Sequence, residues 1–216
     1  MKLSIDIPTS LKDISLSQYK RYLNVNKNNE DDRFLNAKMI EIFCDVNLND
    51  VLRMKLSDTQ DVIKILSKLF NDKPKLIHKF KLNKIEYGFH PQLDDLTLGE
   101  YIDLDTYISD WDNIEKAMNV LYRPITASLK NKYTIDEYKV DQEANLLNMP
   151  MDAVMSSIFF LWNLGLDLSR TMTNSLEENH TQALTEYLSL QENGVGINQF
   201  MDSLTEILQN LKVSLN

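Results

Sequence analysis

Pro150-Met151-Asp152-Ala153-Val154-Met155-Ser156-Ser157-Ile158-Phe159-Phe160-Leu161-Trp162-Asn163-Leu164-Gly165-Leu166-Asp167-Leu168 is the stretch on which the fold turns. Pro150 suits the first turn of a helix, where its missing N–H would have had no partner and its ring presets φ. The residues after it are apolar on nearly every side, and 158–168 is the most apolar window of the chain. That window is too short for a bilayer, which needs about 20 apolar residues, and it holds Asn163 and Asp167. The spacing predicts a long central helix over 150–172, with the other helices packed around it as an irregular, mainly α bundle.

The rest of the chain agrees with such a bundle. Hydrophobic residues make up 43% of 216, and only five Gly and five Pro interrupt them. A core can be filled and helices can run, so a single helical domain is expected over 1–216. An N-terminal subregion over 1–74 and a C-terminal helical pair over 181–213 are its candidate subdivisions, with Gly194 and Gly196 separating the last two helices. Ser15 with Gln18, Ser57 with Gln60 and Thr97 with Glu100 each read as a capping box, in which the first side chain caps the helix and the third residue after it reaches back. Ile14 with Tyr19, and Leu96 with Tyr101, take the staple positions around two of these boxes. Helices are expected from Ser15 to about 23, and over 33–44 with Phe34, Ala37, Ile40 and Phe43 inward. Others follow over 48–54, from Ser57 to Pro74 and over 111–122, the last stopping before Pro124.

Between these helices, 77–89 changes period. Ile77, Lys79 and Lys81 alternate with His78, Phe80 and Leu82, and Ile85, Tyr87 and Phe89 alternate again after Asn83-Lys84. Period two predicts one β-hairpin with its lysines facing solvent. Those lysines either keep an exposed strand soluble or, with Lys73, Lys75 and Lys84, form a basic docking face. Residues 126–149 read as an extended stretch or a strapping loop carrying Tyr133, Ile135, Tyr138 and Val140.

One nine-residue pattern occurs twice. Leu11-Lys12-Asp13-Ile14-Ser15-Leu16-Ser17-Gln18-Tyr19 aligns without gaps on Leu93-Asp94-Asp95-Leu96-Thr97-Leu98-Gly99-Glu100-Tyr101. Either helix starts converge on such chemistry, or the two fasten helices to a common core.

Charge and side-chain chemistry exclude several classes. Twenty-three Lys and Arg against thirty-two Asp and Glu leave a net charge of −9, which opposes binding to phosphate backbones. Cys44 is the one cysteine, so no intrachain disulfide forms, and its apolar neighbours predict a buried, inert thiol. The segment 1–8 alternates apolar and polar residues and lacks the apolar run of a signal peptide. His78, His90 and His180 stand far apart, without zinc-ligand spacing. The acidic run from Asp103 to Asp112 puts Ile108 where a calcium loop needs Gly, so Asp103 and Asp110 are expected at helix starts instead. Gly194-Val195-Gly196 lacks the third glycine of a dinucleotide loop. No cofactor, metal or catalytic residue is expected. Met149, Met151, Met155 and Met172 read as core filler or as an adaptable cleft for a partner helix. Arg123, before Pro124 at a helix end, is expected to bond helix carbonyls or a nearby carboxylate, or else to touch a partner. The candidate partner contacts are therefore Lys79, Lys81, Lys84 and Arg123.

Met118-Asn119-Val120-Leu121-Tyr122-Arg123-Pro124-Ile125-Thr126, followed by Tyr133-Thr134-Ile135-Asp136-Glu137-Tyr138, resembles a pattern in small acidic proteins encoded among the structural genes of tailed bacteriophages. Leu98-Gly99-Glu100-Tyr101-Ile102-Asp103-Leu104 is similar to the entrance of that region, and Pro150 to Met155, leading into Phe159-Phe160, to its later helix. The likeness spans 93–170 and leaves the first third and the last forty-odd residues uncovered. It implies a virion component or tail-assembly chaperone that binds other phage structural proteins in the host cytoplasm or in the particle. It brings no catalytic residue, and neither nucleic acid nor membrane is among the implied partners. A rival from another class is an acidic regulator whose helices imitate nucleic acid and sequester a host nucleic-acid-binding protein. A third is a metal-dependent hydrolase built from carboxylates.

Overall fold

A computed structural model describes residues 4–71, 74–130, 132–140 and 146–178, with side chains in the last helix as far as Asp167. The long helix α7, Met151–Glu178, is present and outlasts its expected end. Met151, Ala153, Val154, Met155, Ser156, Ser157 and Ile158 are all buried, so nearly all of its first two turns is closed to water, Asp152 being the one partly exposed residue. Every buried polar group there needs an internal partner. Ser157 Oγ donates to the Val154 carbonyl at 2.8 Å, while Ser156 Oγ donates to Ala153 O and accepts from Ile77 N–H.

The start of α7 is zipped to the start of α1, Leu16–Lys27. Met151 N–H donates to Ile14 O at 2.8 Å, and Leu16 and Ser17 N–H donate to Met149 O and Leu147 O at 3.0 and 2.7 Å. The first N–H groups of a helix have no partner within it. Here each helix start uses the other's incoming chain to satisfy them.

Helices α2, Asp32–Phe43, α3, Leu48–Val51, and α4, Leu56–Phe70, complete the N-terminal part. Rings of Tyr22, Phe43, Phe70, Tyr19 and Trp111 stack in series at centroid distances of 5.0–5.5 Å, carrying this core into the next part of the chain. Helix α5, Leu98–Tyr107, packs on α6, Ile114–Leu121.

The expected single hairpin is instead half of a four-stranded antiparallel sheet in the order β1-β2-β3-β4, and the fold is α+β rather than a purely helical bundle. The strands are β1, Lys79–Leu82, β2, Ile85–Phe89, β3, Tyr122–Leu129, and β4, Lys132–Ile135. The hairpin of β1 and β2 stands where the alternation placed it, and Asn83 and Lys84 adopt φ of 50° and 69° in its turn. The second pair was hidden because residues 126–130 are exposed on both faces, so no apolar alternation marks β3. The stop before Pro124 does occur, with Tyr122 extended at φ −127° and ψ 119°, but it begins a strand.

Phe80, Tyr87, Phe89 and Tyr122 share the inner face of the sheet, and Phe160 of α7 meets Phe89 edge-on at 5.6 Å. Other boundaries differ from expectation. Helix α4 starts from Lys55 with no side-chain cap, since Ser57 Oγ bonds Asp58 instead. Helix α1 runs on to Lys27. Phe34 is exposed at the first turn of α2, away from the core its stripe suggested. The helical pair expected over 181–213 lies outside the described residues.

Tyr122 joins sheet to central helix. Its buried hydroxyl donates to Ile77 O at 2.7 Å and lies 3.3 Å from Ala153 O, and burial raises its pKa. Tyr122→Phe keeps the ring and strips the hydroxyl from two carbonyls. A loss of ~1–2 kcal/mol is expected in chemical denaturation, with an unchanged denaturant slope.

Candidate functional site

The densest buried polar chemistry gathers on the outer face of the sheet. Glu100 is buried on α5, Arg123 is buried on β3, and His90 follows β2 with its side chain enclosed. Glu100 Oε1 lies 2.6 Å from an Arg123 terminal nitrogen and 3.8 Å from His90 Nε2. Its other oxygen accepts from Thr97 N–H and Oγ at 2.7 and 2.9 Å. One carboxylate thus serves as reciprocal acceptor of the capping box and as counter-ion of a buried guanidinium.

Local sequence explains each placement. A 3-10 turn, Leu93–Asp95, leads into the Thr97 box, as another, Leu11–Asp13, leads into the Ser15 box. The sequence echo is therefore a structural one. In both copies the box's last residue also reaches a remote element: Gln18 Nε2 donates to Ile42 O at 2.9 Å, where Glu100 takes Arg123. An amide suffices at the first position because its target is a carbonyl; a cation at the second calls for a carboxylate.

Burial pushes the Glu100 pKa upward, but the Thr97 N–H and hydroxyl, Arg123 and His90 outweigh it and leave it below its ordinary value. Burial, then the positive charge of Arg123, holds the His90 pKa below 6.5 against the pull of Glu100. His90 Nδ1 accepts from Gln92 N–H, so the neutral ring carries its proton on Nε2, towards Glu100.

The sheet register sets Lys79, Gly88 and Arg123 in one row across three strands. Tyr133 lies across Gly88, donating to Phe89 O at 2.6 Å, with Lys79 Nζ 4.7 Å from its ring centre. A Cβ at Gly88 would stand 2.4 Å from Tyr133 Cε2, so only glycine admits the ring. Of the four expected partner contacts, Lys79 is engaged by Tyr133 and Arg123 by Glu100. Lys81 is exposed opposite Glu86, and Lys84 is exposed in the turn.

Asp110 does stand just ahead of α6, accepting from Asp112 N–H. Asp103, expected at a helix start, lies inside α5 and takes the Tyr138 hydroxyl. Met149, Met151 and Met155 are core residues. A cleft of about 500 Å³ opens between Ser4–Pro8 and the end of α2, with Gln18, Cys44 and Asp45 in its lining. Burial pushes the Cys44 thiol up to about 11, so almost none is thiolate near neutrality. Among the described residues, no three His, Cys, Asp or Glu side chains are placed to hold a metal ion, and no helix is long and apolar enough to cross a membrane.

The Glu100–Arg123–His90 cluster was only partly readable. A nearby carboxylate is one of the alternatives the sequence offers Arg123, beside helix carbonyls and a partner; that it is Glu100, and that His90 joins it, depends on strand register. The charged residue closing an otherwise apolar box was the one local signal. The chain matches no protein-family model, no curated protein and no solved structure.

Removing Glu100's charge while keeping its capping geometry isolates the ion pair. Glu100→Gln is expected to cost ~3 kcal/mol because Arg123 is left buried without a counter-charge. Glu100→Gln with Arg123→Met should cost less than the two single changes summed, as a denaturation double-mutant cycle would reveal. Stability should also fall with acidification. Above pH 6.5 His90 is neutral folded and unfolded; below it, the unfolded chain takes up a proton that the folded chain refuses. Glu100 acts in the same sense below pH 4.5. Calorimetry should give a falling Tm from pH 7 to pH 5, on the order of the usual His range, and a shallower fall in His90→Asn; identical slopes would refute the assignment.

Proposed function

We propose that this chain works by protein–protein contact as a structural or assembly protein of a tailed bacteriophage, without bond-making chemistry of its own. The observation that carries the contact reading is the outward face of α5. Leu98, Tyr101 and Ile102 are 75%, 42% and 52% exposed at i, i+3 and i+4, forming an apolar stripe on the side of the helix away from Glu100 and Leu104. An apolar stripe left in water on a well-packed helix fits a surface that another macromolecule covers. Buried polar chemistry supports the same reading, because Glu100, Arg123 and Thr97 are committed to one another rather than turned towards a substrate.

The phage assignment rests on the resemblance over 93–170, in which this helix is the entrance. Partners would be other phage structural proteins met in the host cytoplasm, and the chain would either leave before maturation or stay in the particle. Co-expression with the capsid and tail proteins of the encoding phage, followed by co-purification, should yield a soluble complex that Leu98→Asp with Ile102→Asp abolishes while circular dichroism stays unchanged. Mass spectrometry of purified virions then separates a retained component from a chaperone. Capture of a host nucleic-acid-binding protein in place of any phage protein would replace this reading with that of an acidic regulator.

A further inference from the structure

We propose that two copies of this chain join edge to edge through β4, antiparallel about Thr134, to form one sheet continuous across the pair. The inference concerns self-association and holds whatever other partners the chain has.

Among the described residues β4 is an edge of the sheet, bonded on one side only, to β3. Asp136 N–H donates to Pro124 O at 2.8 Å, so Asp136, Thr134 and Lys132 turn their backbone groups towards β3. In an antiparallel strand alternate residues point their N–H and C=O to opposite sides. Tyr133 and Ile135 therefore present theirs outward. Thr126 to Leu129, Lys132 and Thr134 are exposed, so the turn end of the β3 and β4 hairpin is open to solvent and a second strand can reach its rim.

The sequence of that rim is self-complementary in one register. With the two-fold axis at Thr134, Tyr133 faces Ile135 of the second copy and the reverse, so the residues with outward backbone groups meet as hydrogen-bonded pairs. Lys132 then faces Asp136 of the second copy, again twice by symmetry, in the close non-hydrogen-bonded positions where side chains interact most. Neither Lys132 nor Asp136 has an ion-pair partner among the described residues. Moving the axis to Tyr133 or to Ile135 still pairs outward groups but loses both Lys132–Asp136 matches; about Tyr133 the residue opposite Asp136 is Lys130, which lies in the turn at φ 55° and not in a strand.

The other edge is built against such pairing. Phe89 N–H donates to His78 O, so alternation turns the backbone of Lys79 and Lys81 outward in β1. An antiparallel pair about Phe80 would set Lys79 against Lys81 of the second copy, twice. Like charges directly opposite destabilise a ladder. Lysine-guarded β1 and charge-matched β4 thus leave one edge through which a second copy fits.

Sedimentation equilibrium of the full chain, from micromolar to about 1 mM, should show a reversible dimer. Lys132→Glu and Asp136→Lys should each weaken it about tenfold, two attractive cross-strand pairs having become repulsive. The double variant Lys132→Glu with Asp136→Lys should restore it, since exchanging both signs leaves the symmetric register complementary. Ile135→Pro removes an outward N–H that β3 does not use, and should abolish the dimer while circular dichroism remains that of the wild type. A wild-type chain that stays monomeric throughout, a dimer indifferent to the single reversals, or a folded double variant that stays monomeric would each overturn the proposal.

Discussion

A helix start closed to water on all sides but that of Asp152 must have nearly all its polar groups answered inside the protein, and that constraint organises this molecule. Pro150 removes one donor, the chain before α1 accepts from Met151, and the serines of the next turn bond backward along the helix and outward to Ile77. The same pairing satisfies the first donors of α1 from Leu147 and Met149. Two helices distant in sequence are locked at their weakest points by one short antiparallel contact, and the sheet is fixed to them through Tyr122.

The outer sheet face solves a different problem. Arg123 sits on β3 with its side chain about 10% exposed, so its charge needs a partner within the protein. Glu100 supplies the charge, and because it is held by the Thr97 box it arrives already oriented. Capping and ion pairing are coupled here: loosening the start of α5 would also loosen the hold on β3. His90 adds a ring whose protonation is disfavoured, which makes the cluster sensitive to acid. Across the same face, Gly88 yields its side-chain space to Tyr133, and Lys79 caps the ring. These polar contacts are fastenings between helix and strand.

The repeated nine-residue motif shows how one local device serves two tertiary ends. Each copy gives a 3-10 turn, a boxed helix start and a side chain that reaches elsewhere. At Gln18 the reach is to a helix-end carbonyl; at Glu100 it is to a cation on a strand. Staple residues follow the same division, Tyr19 buried in the aromatic series and Tyr101 partly exposed on the stripe of α5. The motif provides helix starts, and its surroundings decide what they hold.

Local chemistry alone determined the long central helix, the Ser15 and Thr97 boxes, the hairpin at 79–89, the halt before Pro124 and the buried thiol of Cys44, because each depends on residues within a turn or two of one another. The Ser57 box and the inward place given to Phe34 failed for the converse reason: a good local pattern does not guarantee that the neighbouring element is there to receive it. Strand β3 was illegible because residues 126–130, exposed on both faces, carry no apolar alternation, while the alternation of Tyr133 and Ile135 marked β4 only as an extended stretch or strap. Only the tertiary structure could decide that Arg123 meets Glu100 and His90, that Tyr133 lies across Gly88, and that β1 and β4 are the sheet's edges among the described residues. Those are facts of register, set by which strands lie side by side, and no window of sequence contains both partners.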